Sequence, residues 1–236
     1  MPTPQTTLII GGTSGMGRAT AELLAARGDT VIIAGRDAQR AAAVAGDIGG
    51  DVRSIAVDLT DYDSIKAAAA EIGAIDHLVL SAAALTYAPF QELTIDQARE
   101  VFDNKFWGYY RATRVFGPLL PATGSITIFS GVAVDRPGVG TVAVTAVNSA
   151  LEGLTRSLAV ELAPVRVNAV SPGTVDTEGW SHLGDERQAT LDAAGAALLV
   201  GRVGLPADVA STVVHLIDNG YTTGTTHHVD GGARLV

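Results

Sequence analysis

Cysteine is absent from this 236-residue chain, which excludes disulfides, thiolate nucleophiles and cysteine-ligated metals together. Aromatic residues make up only 5%, too few for a surface on which nucleobases stack. Positive charge is also scarce. Sixteen Lys and Arg stand against 25 Asp and Glu, for a formal charge of −9, which argues against nucleic acid and anionic membranes as partners. No window reaches the roughly 18 apolar residues of a membrane span without a charge or a glycine break. The opening MPTPQTTLIIGG lacks the basic region and apolar run of a secretion signal. A cytoplasmic protein acting on a small molecule is expected, with neither nucleic acid nor membrane as partner.

Apolar residues are plentiful, at 47% with a mean hydropathy of +0.28, enough for a large core. Short β-branched runs alternate with longer Ala/Leu patterns of helical period, the mark of βαβ units around a parallel sheet. Strands are predicted at 6–10, 30–34, 52–57, 77–80, 125–129, 166–169 and 225–229. Helices are predicted at 15–27, 37–45, 61–72, 95–116, 141–162 and 206–218. Gly28 suits the position after the first helix, and Asp37 and Asp61 suit N-caps. No repeat or low-complexity linker interrupts the pattern. The expectation is α/β: a single-domain Rossmann-type, doubly wound parallel sheet of about seven strands, helices on both faces, spanning 1–236. Segment 176–203 has no confident strand and reads as a lid over a substrate site.

Chemistry enters at Gly11-Gly12-Thr13-Ser14-Gly15-Met16-Gly17, a glycine turn between a strand and a helix. Glycines there permit a tight turn, let N–H groups approach a pyrophosphate and allow close helix–strand packing, while the helix N-terminus favours the negative charge. A purely structural turn is the bland alternative. After the second strand, where an acid would grip the ribose 2′-hydroxyl of NAD, the chain has Gly35-Arg36-Asp37. The Arg36 guanidinium suits a 2′-phosphate, so NADP(H) is preferred over NAD(H); a solvated surface charge is the rival reading. Asp37 reads as a helix cap. Asp58 is placed to accept from an adenine amino group or to form a turn.

GGTSGMG, VDLTD, IDHLVL, DNKFWG, RVNAVSPGTVDT, RVGLPADVA and the final VDGGARLV together resemble the short-chain dehydrogenase/reductase family over nearly the whole chain. The resemblance implies cofactor contacts from Gly11, Thr13, Ser14, Gly15, Met16, Gly17, Arg36, Asp58, Leu59 and Ala82. It also implies contacts from Asn148, Pro172, Gly173, Val175 and Thr177, with Pro172 and Gly173 facing the nicotinamide and Val175 and Thr177 its carboxamide. The family carries its proton chemistry on a Tyr, a Lys one helical turn later and a Ser upstream. Those places hold Val144, Asn148 and Gly131, and the usual Asn-Asn-Ala-Gly after the fourth strand reads Leu80-Ser81-Ala82-Ala83. In the family's Asn-Ser-Tyr-Lys tetrad only Asn104 matches, and a structural role in kinking its helix is as good a reading as a catalytic one.

The phenol gives its proton to a carbonyl oxygen, its pKa lowered by the lysine, which also holds the ribose. Val144 cannot donate, and Asn148 carries no charge. General acid catalysis is worth about 10²–10⁴-fold, so fast ketone reduction by the family's route is not expected. Among neighbours, Ser130 should point to the other face of the sheet and Thr145 lies about 100° around its helix. Tyr87, Asp135, Arg136 and His182 are loop candidates. His227 and His228 face opposite ways, and His77 and His215 read as structural. Three functions follow: an NADP(H) oxidoreductase with a non-standard site, an inactive NADP(H)- or ligand-binding protein, or a non-redox isomerase or cyclase. The changes Val144→Tyr and Asn148→Lys, helped by Gly131→Ser, are expected to create weak carbonyl reduction. Small residues Ala146, Ala150, Gly153 and Ser157 on one helix side imply a homotetramer or homodimer.

Overall fold

The computed structural model describes residues 4–236. Seven parallel strands form one sheet: β1 Thr6–Ile10, β2 Thr30–Gly35, β3 Val52–Ala56, β4 His77–Leu80, β5 Ser125–Phe129, β6 Arg166–Pro172 and β7 Thr226–Val229. Their spatial order is β3-β2-β1-β4-β5-β6-β7. The order reverses between β1 and β4, which opens a crevice at the carboxyl ends of the strands. Alternation along each strand sorts the core into two layers. Leu8, Ile10, Leu78, Leu80, Ile126 and Ile128 point to one face, packed under Ile65, Tyr109, Phe116 and Leu151. Ile9, Val31, Ile33 and Val79 point to the other, under Leu24, Val44, Val213 and Leu216.

The helices are α1 Gly15–Ala26, α2 Ala38–Ile48, α3 Tyr62–Ile72, α4 Ile95–Val101, α5 Gly108–Phe116, α6 Val142–Glu161, α7 Arg187–Ala196 and α8 Pro206–Asp218. Asp37 caps α2 by accepting from the Arg40 N–H, and Asp61 caps α3 through the Asp63 N–H. Thr94 and Gln97 form a reciprocal capping box at α4.

The helix predicted at 95–116 is not continuous. A π-helical stretch, Phe102–Trp107, separates α4 from α5. The widened turn frees the Glu100 carbonyl, which accepts from Asn104 Nδ2 at 2.9 Å. Such bulges re-aim side chains and concentrate at functional sites; no periodicity argument distinguishes them from ordinary helix. Strand β6 runs past its predicted end through Pro172, because Ser171 and Pro172 continue the pairing with His228 and Val229. Segment 176–203, expected to be a lid, is largely helical, with 3₁₀ turns over Glu178–Glu186 followed by α7. Its entry is fixed by an Arg187–Asp176 ion pair and by Trp180 Nε1 donating to the Val175 carbonyl at 2.9 Å.

Candidate active site

The turn after β1 is built for close approach. A Cβ on Gly11 would lie 2.4 Å from the Ala82 nitrogen, and one on Gly17 would lie 2.2 Å from the Gly11 carbonyl oxygen. Neither position tolerates a side chain while α1 stays against β1 and β4. Gly15 has φ +51°, a left-handed conformation that favours glycine, and it opens α1. Its N–H donates to the Glu178 carboxylate at 3.0 Å. An internal anion therefore sits on the first N–H of the helix, where the partial positive charge of α1 is greatest.

This turn forms one wall of a cavity of about 790 Å³. Gly11, Thr13, Ser14, Gly15, Met16 and Gly17 line it together with Arg36, Asp58, Leu59 and Ala82, residues that the family resemblance implies as cofactor contacts. Thr177, Glu178, Trp180 and His182 form the opposite wall. Arg36 has no ion-pair partner among the described residues, and Arg40, in the first turn of α2, joins it on the wall. Asp58 accepts from the Thr60 N–H at 2.9 Å and the Thr60 hydroxyl at 2.7 Å. These bonds hold its carboxyl below the usual range, so the turn-forming role is filled at a residue that also faces the cavity. Tyr109 donates to the Ala82 carbonyl at 2.8 Å and pins the end of β4.

The remaining predicted contacts lie behind this lining. The Val175 side chain is buried in the core beside Phe129 and Val209, and its backbone bridges to Gly204. Pro172 is buried within β6, and Gly173 packs against Asp230, which a Cβ would meet at 2.8 Å. Asn148 is 2% exposed.

At Asn148 the structure holds a group that sequence reasoning passed over. Lys105, in the π-helical stretch, is 3% exposed and donates to Asn148 Oδ1 at 2.6 Å and to the Ser130 carbonyl at 3.3 Å. Among the described residues no carboxylate neutralises it, and burial pushes its ammonium down to about 7. Asn104, the expected match, spends its amide on its own helix and faces the cavity. A signal was present in the chain: Lys105 is four residues from each of Val101 and Tyr109, both buried, so it lies on the apolar face of its helix. Arg40, at four-residue spacing from Arg36, was legible in the same way.

Gly131 belongs to the same arrangement. A Cβ there would come within 2.9 Å of Asn148 Nδ2, so Gly131→Ser made alone presses on the amide. Val144 is 3% exposed and supplies no proton. Ser130 Oγ donates to Glu152 at 2.7 Å, while Thr145 Oγ1 donates to the Ala133 carbonyl at 3.0 Å. Both hydroxyls are thus engaged in structure. Of the loop candidates, Tyr87 and His182 line the cavity. Asp135 instead stands 3.3 Å from His228, and Arg136 donates to the Ala233 carbonyl at 3.0 Å. Buried His77, bonded to Ser125 at 2.8 Å, is pushed down to about 4 chiefly by desolvation, a structural neutral imidazole. Among the described residues no cluster of three metal-ligating side chains occurs, and no helix is long and apolar enough to cross a membrane.

A family model described as Enoyl-(Acyl carrier protein) reductase matches residues 11–234. The chain is 32% identical over 256 aligned residues to the short-chain dehydrogenase/reductase ATR9 of Stachybotrys chlorohalonatus, covering 100% of both. The chain belongs to the short-chain dehydrogenase/reductase family. It is also 33% identical to the 3-oxoacyl-[acyl-carrier-protein] reductase FabG of Vibrio harveyi, covering 97% of each chain. Among solved structures it resembles the NADPH-bound short chain oxidoreductase of Pseudomonas aeruginosa PAO1, described as containing an atypical catalytic center. The TM-score is 0.91 at 29% identity, over 97% of this chain and 96% of the other. Family membership makes a nicotinamide dinucleotide the ligand against which this crevice is to be judged. The cradle fits it: backbone too tight for any Cβ, an N–H already holding an anion, and two arginines on the adjoining wall.

Proposed function

We propose that this chain is an NADP(H)-dependent oxidoreductase that transfers hydride to or from a small molecule without the family's usual proton donor. The observation that carries this reading is the unpaired Arg36, with Arg40, on a cavity wall continuous with the glycine turn. A 2′-phosphate between two guanidiniums would form charge-assisted hydrogen bonds, while the N–H groups of Gly15 to Gly17 would take the pyrophosphate. The bound cofactor would supply hydride; the protein would supply orientation and exclusion of water.

Val144, Asn148 and Gly131 stand, on this reading, at the places of the family's Tyr, Lys and Ser. The site then favours acceptors that are electrophilic already, such as iminium ions or activated enones, whose proton comes from water. NADPH should raise the melting temperature clearly more than NADH, because binding to the native state stabilises it by mass action. Equal shifts would sink the 2′-phosphate assignment. NADPH oxidation with a panel of imines, enones and quinones tests turnover; tight binding with a flat panel supports a second reading, a binding protein without turnover, which the inert Val144 favours.

A homotetramer or homodimer is part of the proposal. Ala146 and Ser157 are exposed, Ala150 and Gly153 half-buried, and a Cβ on Gly153 would meet nothing within 4 Å, leaving that side of α6 open to another helix. Light scattering against the 24.1 kDa chain mass decides it: a monomer at micromolar concentration overturns the assignment.

A further inference from the structure

Lys105, Asn148 and Gly131 are fitted to one another in a way that neither the fold nor the family's usual residues require. A lysine with no counter-ion is costly to bury, and here its amine is spent on one carboxamide oxygen and one carbonyl. Taking Oδ1 fixes which way the Asn148 amide turns. Nδ2 is then left beside Gly131, where only the missing side chain gives it room. Among the described residues Nδ2 has no hydrogen-bond partner, yet it is not one of the sealed, unpartnered polar atoms of the interior. Gly131 follows the carboxyl end of β5, so Nδ2 lies at the end of the sheet where the crevice opens.

We infer that Lys105 is a positioning residue that holds Asn148 so that its Nδ2 serves the nicotinamide half of the bound dinucleotide. The amine that similar proteins carry on α6 is here delivered from the π-helical stretch, with Asn148 as the intermediary. The π-helix has a purpose in this scheme, since it lets Asn104 and Lys105 point to different sides of one turn. The lowered proton affinity of Lys105 agrees with an amine held in an apolar surround, where a hydrogen bond to a carboxamide is strong. The inference rests on the cofactor reading above, and the two can fail separately.

The test compares two ligands: NADPH, and adenosine 2′,5′-bisphosphate, which has the adenine and 2′-phosphate but no nicotinamide. Wild type should bind both. Lys105→Met should lose about tenfold to a hundredfold in NADPH affinity, the range for a lost hydrogen bond to a charged group, with bisphosphate affinity unchanged. Asn148→Ala should do the same, and the double variant should lose no more than either alone. If Lys105→Met does not fold, Asn148→Ala carries the same comparison. Unchanged NADPH affinity, equal loss of both ligands, or fully additive losses each overturn the inference. Wild type that binds the bisphosphate and not NADPH also overturns it; wild type that binds neither removes the cofactor reading itself.

Discussion

At the β1 end of the crevice the groups that would meet a phosphate are backbone N–H groups, held by glycines whose Cβ positions are already filled by Ala82 and the Gly11 carbonyl. At the β5 end the polar contacts run through the side chains of Lys105 and Asn148 and the Ser130 carbonyl. The first arrangement depends on shape, so a single added methyl disrupts it. The second depends on a network, so one residue can change only if its partners change with it.

The largest effect tests that interdependence. On the proposed reading the triple variant Gly131→Ser, Val144→Tyr, Asn148→Lys brings back the family's groups but sets a second ammonium against buried Lys105, and it should stay inert on simple ketones. Adding Lys105→Asn removes the conflict. The quadruple variant should then exceed the triple in ketone-dependent NADPH oxidation by about 10²–10⁴-fold, the usual contribution of a general acid. Equal rates in the two variants would show that Lys105 is not what blocks the restored site.

Next in size is Gly17→Ala at the other end. Its Cβ would lie 2.2 Å from the Gly11 oxygen, so α1 must move. Overpacking of this kind costs about 1–3 kcal/mol, with a lower melting temperature and NADPH affinity reduced by up to roughly a hundredfold. If Gly17→Ala is neutral in both, the cradle is less tightly fitted than its backbone distances require.

These two ends were not equally readable from sequence. The sheet, its seven strands and the α1 turn follow from periodicity and from glycines spaced for backbone contact, because such signals lie in consecutive residues. Asp37 and Asp61 declared themselves as caps for the same local reason. The π-helix at Phe102–Trp107 did not, since it inserts one residue without altering the apolar pattern on either side. Lys105 was hidden with it: the pairing to Asn148 joins residues 43 apart, and the neighbouring Asn104 offered a simpler match. The open space at Gly131 reads as a missing serine in sequence and as room for an amide in the structure.

Arg36→Ala sharpens the comparison within the cradle, separating charge from shape. It should weaken NADPH binding about tenfold, the lower range for a hydrogen bond to a charged group, and leave NADH affinity unchanged. Arg40→Ala should show a smaller loss of the same kind. Titration of nicotinamide fluorescence against both cofactors gives the ratio. A parallel loss for NADH would mean that Arg36 supports the fold of the wall rather than a 2′-phosphate.

Glu178 offers the smallest effect and the most direct probe of what the turn prefers to hold. Its carboxylate takes the Gly15 N–H that a pyrophosphate would need, so binding must displace it. A charge at a helix N-terminus is worth about 0.3–1 kcal/mol, which corresponds to roughly two- to fivefold in affinity. Glu178→Gln keeps the shape and removes the charge, so NADPH should bind tighter by that factor, because the Gly15 N–H is held less firmly. Salt should narrow the gap between variant and wild type, since it screens the contact being removed. Weaker binding in Glu178→Gln would reverse the assignment: the carboxylate would then be a partner of the bound state, not its competitor.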